Sequence, residues 1–201
     1  MITLRHIERL FFEHKHLKLF RELALGRPEA DCALEPFLAR AVPAAAMGVI
    51  RLDELNQSHT PLYRRLINAV LTAQQRDGGW EDPMVTAVCL RALMTSTIHA
   101  DAVAKGLALL AGLQKSDGAW PREPIRRMPA DALTSAYILL QLAEREVFRG
   151  TVRFDAAVRW LECHVHPLEP HVQRLWTHAA VRCRVAHAPP RNLWTLDRSA
   201  A

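Results

Sequence analysis

The chain has 201 residues, half of them apolar, 23% charged and 6% aromatic, and 26 Lys plus Arg against 21 Asp plus Glu leave a formal net charge of +5. That mix suits a soluble globular protein with a sizeable core and excludes disordered and fibrous chains. The basic surplus is spread along the sequence and singles out no anionic partner. Met1 to His6 opens no apolar signal core, and the longest apolar-rich runs, Ala41 to Ile50 and Leu107 to Leu113, are too short to span a bilayer. Cys32, Cys89, Cys163 and Cys183 form no Cys-x-x-Cys pair, and no Gly-x-Gly-x-x-Gly or Walker pattern occurs. A reduced, cytoplasmic compartment is expected.

In chain order the pattern is helical. Leu4, Ile7, Leu10, Phe11, Leu17 and Phe20 recur at three- and four-residue steps from Ile2 to about Leu25, with Gly26 and Pro28 placed to end that helix. Asp31 caps a second segment through Leu34, Phe37, Leu38 and Val42; Pro43 is expected to interrupt it, and Ala44 to Leu55 resumes. Thr60 and Pro61 start a helix running to Gln74, and a further helix follows Pro83. Asp101 to Gln114 is the next, and Pro129 and Asp131 begin one that ends near Ala143. Phe154 to His164 and Pro170 to His187 complete the series, and no segment alternates long enough to be a strand.

Two segments match. Gln74-Gln75-Arg76-Asp77-Gly78-Gly79-Trp80 lies 40 residues before Gln114-Lys115-Ser116-Asp117-Gly118-Ala119-Trp120. Each follows a helix and precedes another entered near a Thr, Thr86 or Thr134. Self-similarity at this period marks stacked helical pairs. The glycine lets the chain leave the first helix left-handed, the Asp bonds the turn backbone, and the Trp covers the turn. The Gln amide can bond free backbone groups at a helix end. Gln74, Trp80, Gln114 and Trp120 therefore read first as a structural clamp.

Gln-x-x-Asp-Gly-(Gly/Ala)-Trp followed by a Thr-led helix resembles the QW repeat of the prenyltransferase and squalene-cyclase superfamily, over about Leu62 to Glu144. The resemblance implies an α/α-toroid, an inner ring of helices around a cavity within an outer ring. It does not imply one activity, because such toroids serve terpene cyclases, protein prenyltransferases and complement thioester domains. Cyclases of this kind use Asp-x-Asp-Asp, whereas Pro129 to Thr134 retains only Asp131. The prenyltransferase zinc set of Asp, Cys and His is not matched, because Cys89 has no Asp two residues before it, and the thioester Gly-Cys-Gly-Glu-Gln is absent. A closed ring of six pairs needs roughly 250 to 300 residues at this repeat size, more than the chain has. The expected fold is thus all-α, an incomplete α/α-toroid: a helical cap over 1–58, two repeats over 59–150, and a degenerate helical pair with a basic tail over 151–201.

In such a toroid the helix after each Trp faces inward. Thr134, Tyr137 and Gln141 then share one stripe, as do Thr86, Cys89 and Leu93, while Asp82 and Asp131 stand at the helix entrances. The functional expectation is an apolar cavity with a polar mouth; against it stands the reading of these side chains as ordinary core residues and caps. The second copy carries eight extra residues before its helix, and Arg122, Arg126 and Arg127 within that loop suit a diphosphate. Cys163, His166, Cys183 and His187 have a Cys-x2-His, Cys-x3-His spacing that can close a tetrahedral zinc site but departs from familiar fingers, so no metal or other cofactor is expected. The C-terminal arginines and tryptophans accompany no nucleic-acid reader motif, and nucleic acid is not expected as a partner.

The expected function is therefore a non-catalytic binding or assembly protein for an apolar, isoprenoid-like ligand or a protein partner. Its incomplete ring would leave apolar edges suited to a homo-oligomer. The alternative is a small enzyme acting on isoprenoid substrates, with Asp131 or Asp82 as acid and Arg126 and Arg127 holding a diphosphate.

Overall fold

Prolines and short polar side chains decide where the helices begin. The structure, a computed structural model, describes residues 42–164 and 170–187, with side chains of the last segment described over 172–184. The helices are α1 (Val42–Glu54), α2 (Pro61–Thr72), α3 (Pro83–Leu93), α4 (Ala100–Leu113), α5 (Ala132–Leu142), α6 (Glu146–Thr151), α7 (Phe154–His164) and α8 (Pro170–His187). Thr60, Asp82 and Asp131 cap α2, α3 and α5, each accepting a hydrogen bond from the backbone N–H three residues on, and Pro61 and Pro83 occupy first-turn positions.

The described chain is all-α, with only an isolated bridge between Pro121 and Ala130 outside the helices. Two details differ from the pattern reading. Pro43 lies in the first turn of α1, where its missing N–H costs nothing, so it begins a helix where an interruption was expected. The six-residue α6 and the 3₁₀ turn Thr97–His99 are too short for a periodic signal. The helices expected before residue 42 lie outside the described residues.

The packing is in two layers. α1 packs on α3, α3 on α5 and α5 on α8, forming an inner row; α2, α4 and α7 cover it from outside, and α6 packs against α4. Burial follows that division. Every residue of α3 except Met84, and of α5 except Leu133, is buried. The covering helices bury one stripe each, Tyr63, Leu66, Ile67 and Val70 on α2 and Gly106, Leu107, Leu110 and Leu113 on α4. A core of aliphatic residues, Trp80, Trp120, Tyr137 and Phe148 runs continuously through both layers.

Candidate functional site

The matched segments fold into the same clamp twice. Gln74 Nε2 donates to Gly78 O at 2.8 Å and to Ala102 O at 2.9 Å; Gln114 Nε2 donates to Gly118 O at 2.8 Å and to Arg153 O at 3.1 Å. Each amide thus ties its own turn to the start of the next covering helix. Trp80 and Trp120 donate through Nε1 to the carbonyls ten residues earlier, Val70 and Leu110. Asp77 and Asp117 accept from the N–H two residues on. Gly78 and Gly118 have φ of +93° and +100°, and a Cβ on either would lie 2.7 Å from Lys105 O or 2.4 Å from the Ala156 carbonyl carbon. Glycine is therefore required by conformation and by close backbone approach at once. Gln74, Trp80, Gln114 and Trp120 occupy the structural role that the sequence pattern assigns them.

The two copies join their inner helices in a register that the Thr alignment misses by one residue. The Trp80 N–H donates to Thr86 Oγ1, six residues on, whereas the Trp120 N–H donates to Ser135 Oγ, fifteen residues on. Ser135, not Thr134, is the counterpart of Thr86. Thr86 is consequently part of the clamp. Cys89 is fully buried, and desolvation, followed by the charges of Glu81 and Asp82, pushes its thiol well above the usual range.

On α5 the expected stripe is present and buried: Thr134, Tyr137 and Gln141 are 0%, 0% and 3% exposed. Among the described residues Thr134 Oγ1 and Gln141 Nε2 have no hydrogen-bond partner. The orientation of the Gln141 amide is dictated by Arg91, whose Nη1 donates to Gln141 Oε1 at 2.8 Å. A guanidinium cannot accept, so the amide must turn its oxygen to Arg91 and its NH₂ the other way. Arg91 Nη2 also donates to Glu54 Oε1 at 3.2 Å, joining the C-terminal ends of α1, α3 and α5 through one buried arginine. Arg91 and Glu54 were not singled out from sequence. The available signal is a lone arginine inside the apolar run Met84 to Met94.

Asp82 and Asp131 stand at the entrances of α3 and α5, but as caps. Asp82 Oδ1 accepts from Val85 N at 2.8 Å and Asp131 Oδ2 from Thr134 N at 2.7 Å. The two aspartates belong to different helices, and each carboxylate is engaged with its own first turn.

Arg126 and Arg127 are exposed in the inserted loop, and Lys115 Nζ donates to Arg126 O at 2.7 Å. Beside that loop, at the elbow between α6 and α7, opens a groove of about 530 Å³ whose lining includes Arg149, Arg153, Arg159, Asp155, Val152 and Ala156. Arg149 Nη1 donates to Ala143 O at 2.9 Å, and Arg153 Nη2 to Gln114 O at 3.0 Å and to Lys115 O. These arginines too were missed, because they lie on two different helices and the turn between them.

Of the C-terminal metal candidates, Cys163 is exposed on α7 and Cys183 is buried on α8. Burial raises the Cys183 thiol from 9.0 to about 12. His166 and the His187 side chain lie outside the described residues, and no cluster of three or more metal-capable side chains occurs among those described. No helix among the described residues is long and apolar enough to cross a membrane. Comparison with protein-family models, curated proteins and solved structures finds no match.

Proposed function

We propose that the chain is a non-catalytic binding protein, an incomplete α/α-toroid whose inner row holds an elongated apolar ligand of isoprenoid-like character. The observation that carries this reading is the pair of orphaned polar atoms, Thr134 Oγ1 and Gln141 Nε2, on one buried stripe of α5. A buried donor with no acceptor costs about 1 to 3 kcal/mol, and a bound group that meets it recovers that cost. Seven residues separate the two atoms, roughly 10 Å along a helix, with Tyr137 between them. A mostly apolar molecule with polar groups at that spacing suits the stripe, and the Gln141 end calls for a hydrogen-bond acceptor. Occupied caps at Asp82 and Asp131 favour binding over acid catalysis.

Native mass spectrometry of freshly purified protein at low collision energy tests this. A bound apolar mass is expected in the wild type and is expected to be lost in Thr134→Val/Gln141→Leu, with helical circular dichroism retained. A bare chain in both, or a bound mass indifferent to the double substitution, sinks the reading.

A second reading, docking of a protein partner or a second copy, draws on Leu55, Ile98 and Val147, exposed by 62%, 83% and 64%. They follow α1, α3 and α5, whose C-terminal ends the Arg91 bridge joins. Sedimentation that shows a concentration-dependent oligomer, abolished by Ile98→Lys, supports it; a monomer at all concentrations and no captured partner removes it.

A further inference from the structure

The repeat supplies its own control for what the clamp requires. Gln74 bonds Ala102 O where Gln114 bonds Arg153 O, and Gly78 abuts Lys105 where Gly118 abuts Ala156. In that register the elbow positions filled by Arg149, Arg153 and Arg159 in the second copy carry Ile98, Ala102 and Ala108 in the first. The first clamp closes with no arginine at these positions, so holding the fold does not account for three in the second. They line the groove of about 530 Å³, a small-molecule size, and Asp155 is the one carboxylate in its described lining. Arg149 and Arg153 are already oriented by backbone carbonyls, each with donors to spare on its five-donor fork. Lys115, whose carbonyl accepts from Arg153, holds Arg126 O through its ammonium and so ties the inserted basic loop to the same place.

We propose that the α6–α7 elbow is a binding site for a phosphate-bearing ligand, gripped by Arg149, Arg153 and Arg159. Fixed guanidinium forks match phosphate oxygens bidentately, and Val152 and Ala156 give the groove an apolar wall for whatever the phosphate is attached to. The site lies on the covering layer and does not depend on the inner-row ligand.

Two probes separate the sources of such a group. Inorganic diphosphate, titrated calorimetrically into the full chain, reports a free phosphate; sedimentation with phosphatidylcholine vesicles, with and without phosphatidic acid, reports a lipid headgroup. Saturable binding is expected in at least one arm. It should weaken about tenfold or more in Arg149→Gln/Arg159→Gln and fall as salt rises. Arg64→Gln, at an exposed arginine of α2, and Gln141→Leu should leave it unchanged. Should the double variant fail to fold, Arg159→Gln alone carries the test, because that side chain makes no hydrogen bond or ion pair among the described residues. Absence of binding in both arms, binding that survives the elbow substitutions, or an equal loss in Arg64→Gln overturns the assignment.

Discussion

Adjacent residues at the start of α5 carry opposite expectations. Ser135 Oγ accepts from Trp120 N at 2.9 Å and donates to Asp131 O at 2.8 Å, both inside the protein. Ser135→Ala strands a buried N–H and should cost about 1 to 3 kcal/mol. Ser135→Thr should be tolerated, since Thr86 serves the first copy in that role. Thr134 Oγ1 has no partner among the described residues, so in ligand-free protein Thr134→Val removes a buried unsatisfied hydroxyl at nearly constant volume. Its stability should be unchanged or higher. Urea midpoints at constant m-value read both effects, and a Thr134→Val loss larger than that of Ser135→Ala would contradict the register between the two copies.

At the scale of elements, the inner row is held by apolar packing and by one polar link across three helices. Arg91→Met leaves Gln141 Oε1 buried and without a donor, and Gln141→Leu leaves an arginine N–H facing apolar atoms; each should cost about 2 to 4 kcal/mol. Together they remove both halves of the contact. The double variant should therefore be less destabilised than the sum by about 1 to 3 kcal/mol, read from a double-mutant cycle of urea midpoints; additive losses would show that the pair contributes no coupling. Sequence periodicity found the helices themselves, because each has a repeating stripe bounded by proline, glycine or a capping side chain. It also found the clamp, whose residues recur at fixed spacing. It missed the one-residue register shift, because Thr134 and Ser135 both offer a hydroxyl and only the Trp120 N–H distinguishes them. Arg91 with Gln141, and the elbow arginines, are separated by 50 residues or split across elements, and no local pattern signals such pairings.

At the scale of the whole molecule, the two layers protect thiols that belong to different helices. Cys89 and Cys183 are 0% and 2% exposed, whereas Cys163 is exposed on the covering helix α7. Burial favours the neutral thiol, so both buried groups keep their protons in the fold beyond the pH at which an unfolded chain loses them. For Cys183, stability from this source is complete below pH 9.0 and is lost as pH rises from there to about 12. The loss runs at up to ~1.4 kcal/mol per pH unit for each thiol, because the unfolded state binds fewer protons there. Urea midpoints measured on both sides of pH 9.0 should fall faster in the wild type than in Cys183→Ala. The same layering predicts that a maleimide labels Cys163 in the native protein and reaches Cys89 and Cys183 only on unfolding. Parallel alkaline curves, or native labelling of Cys183 as fast as Cys163, would mean that α8 separates from α5 without global unfolding, and that the inner row opens at its C-terminal end.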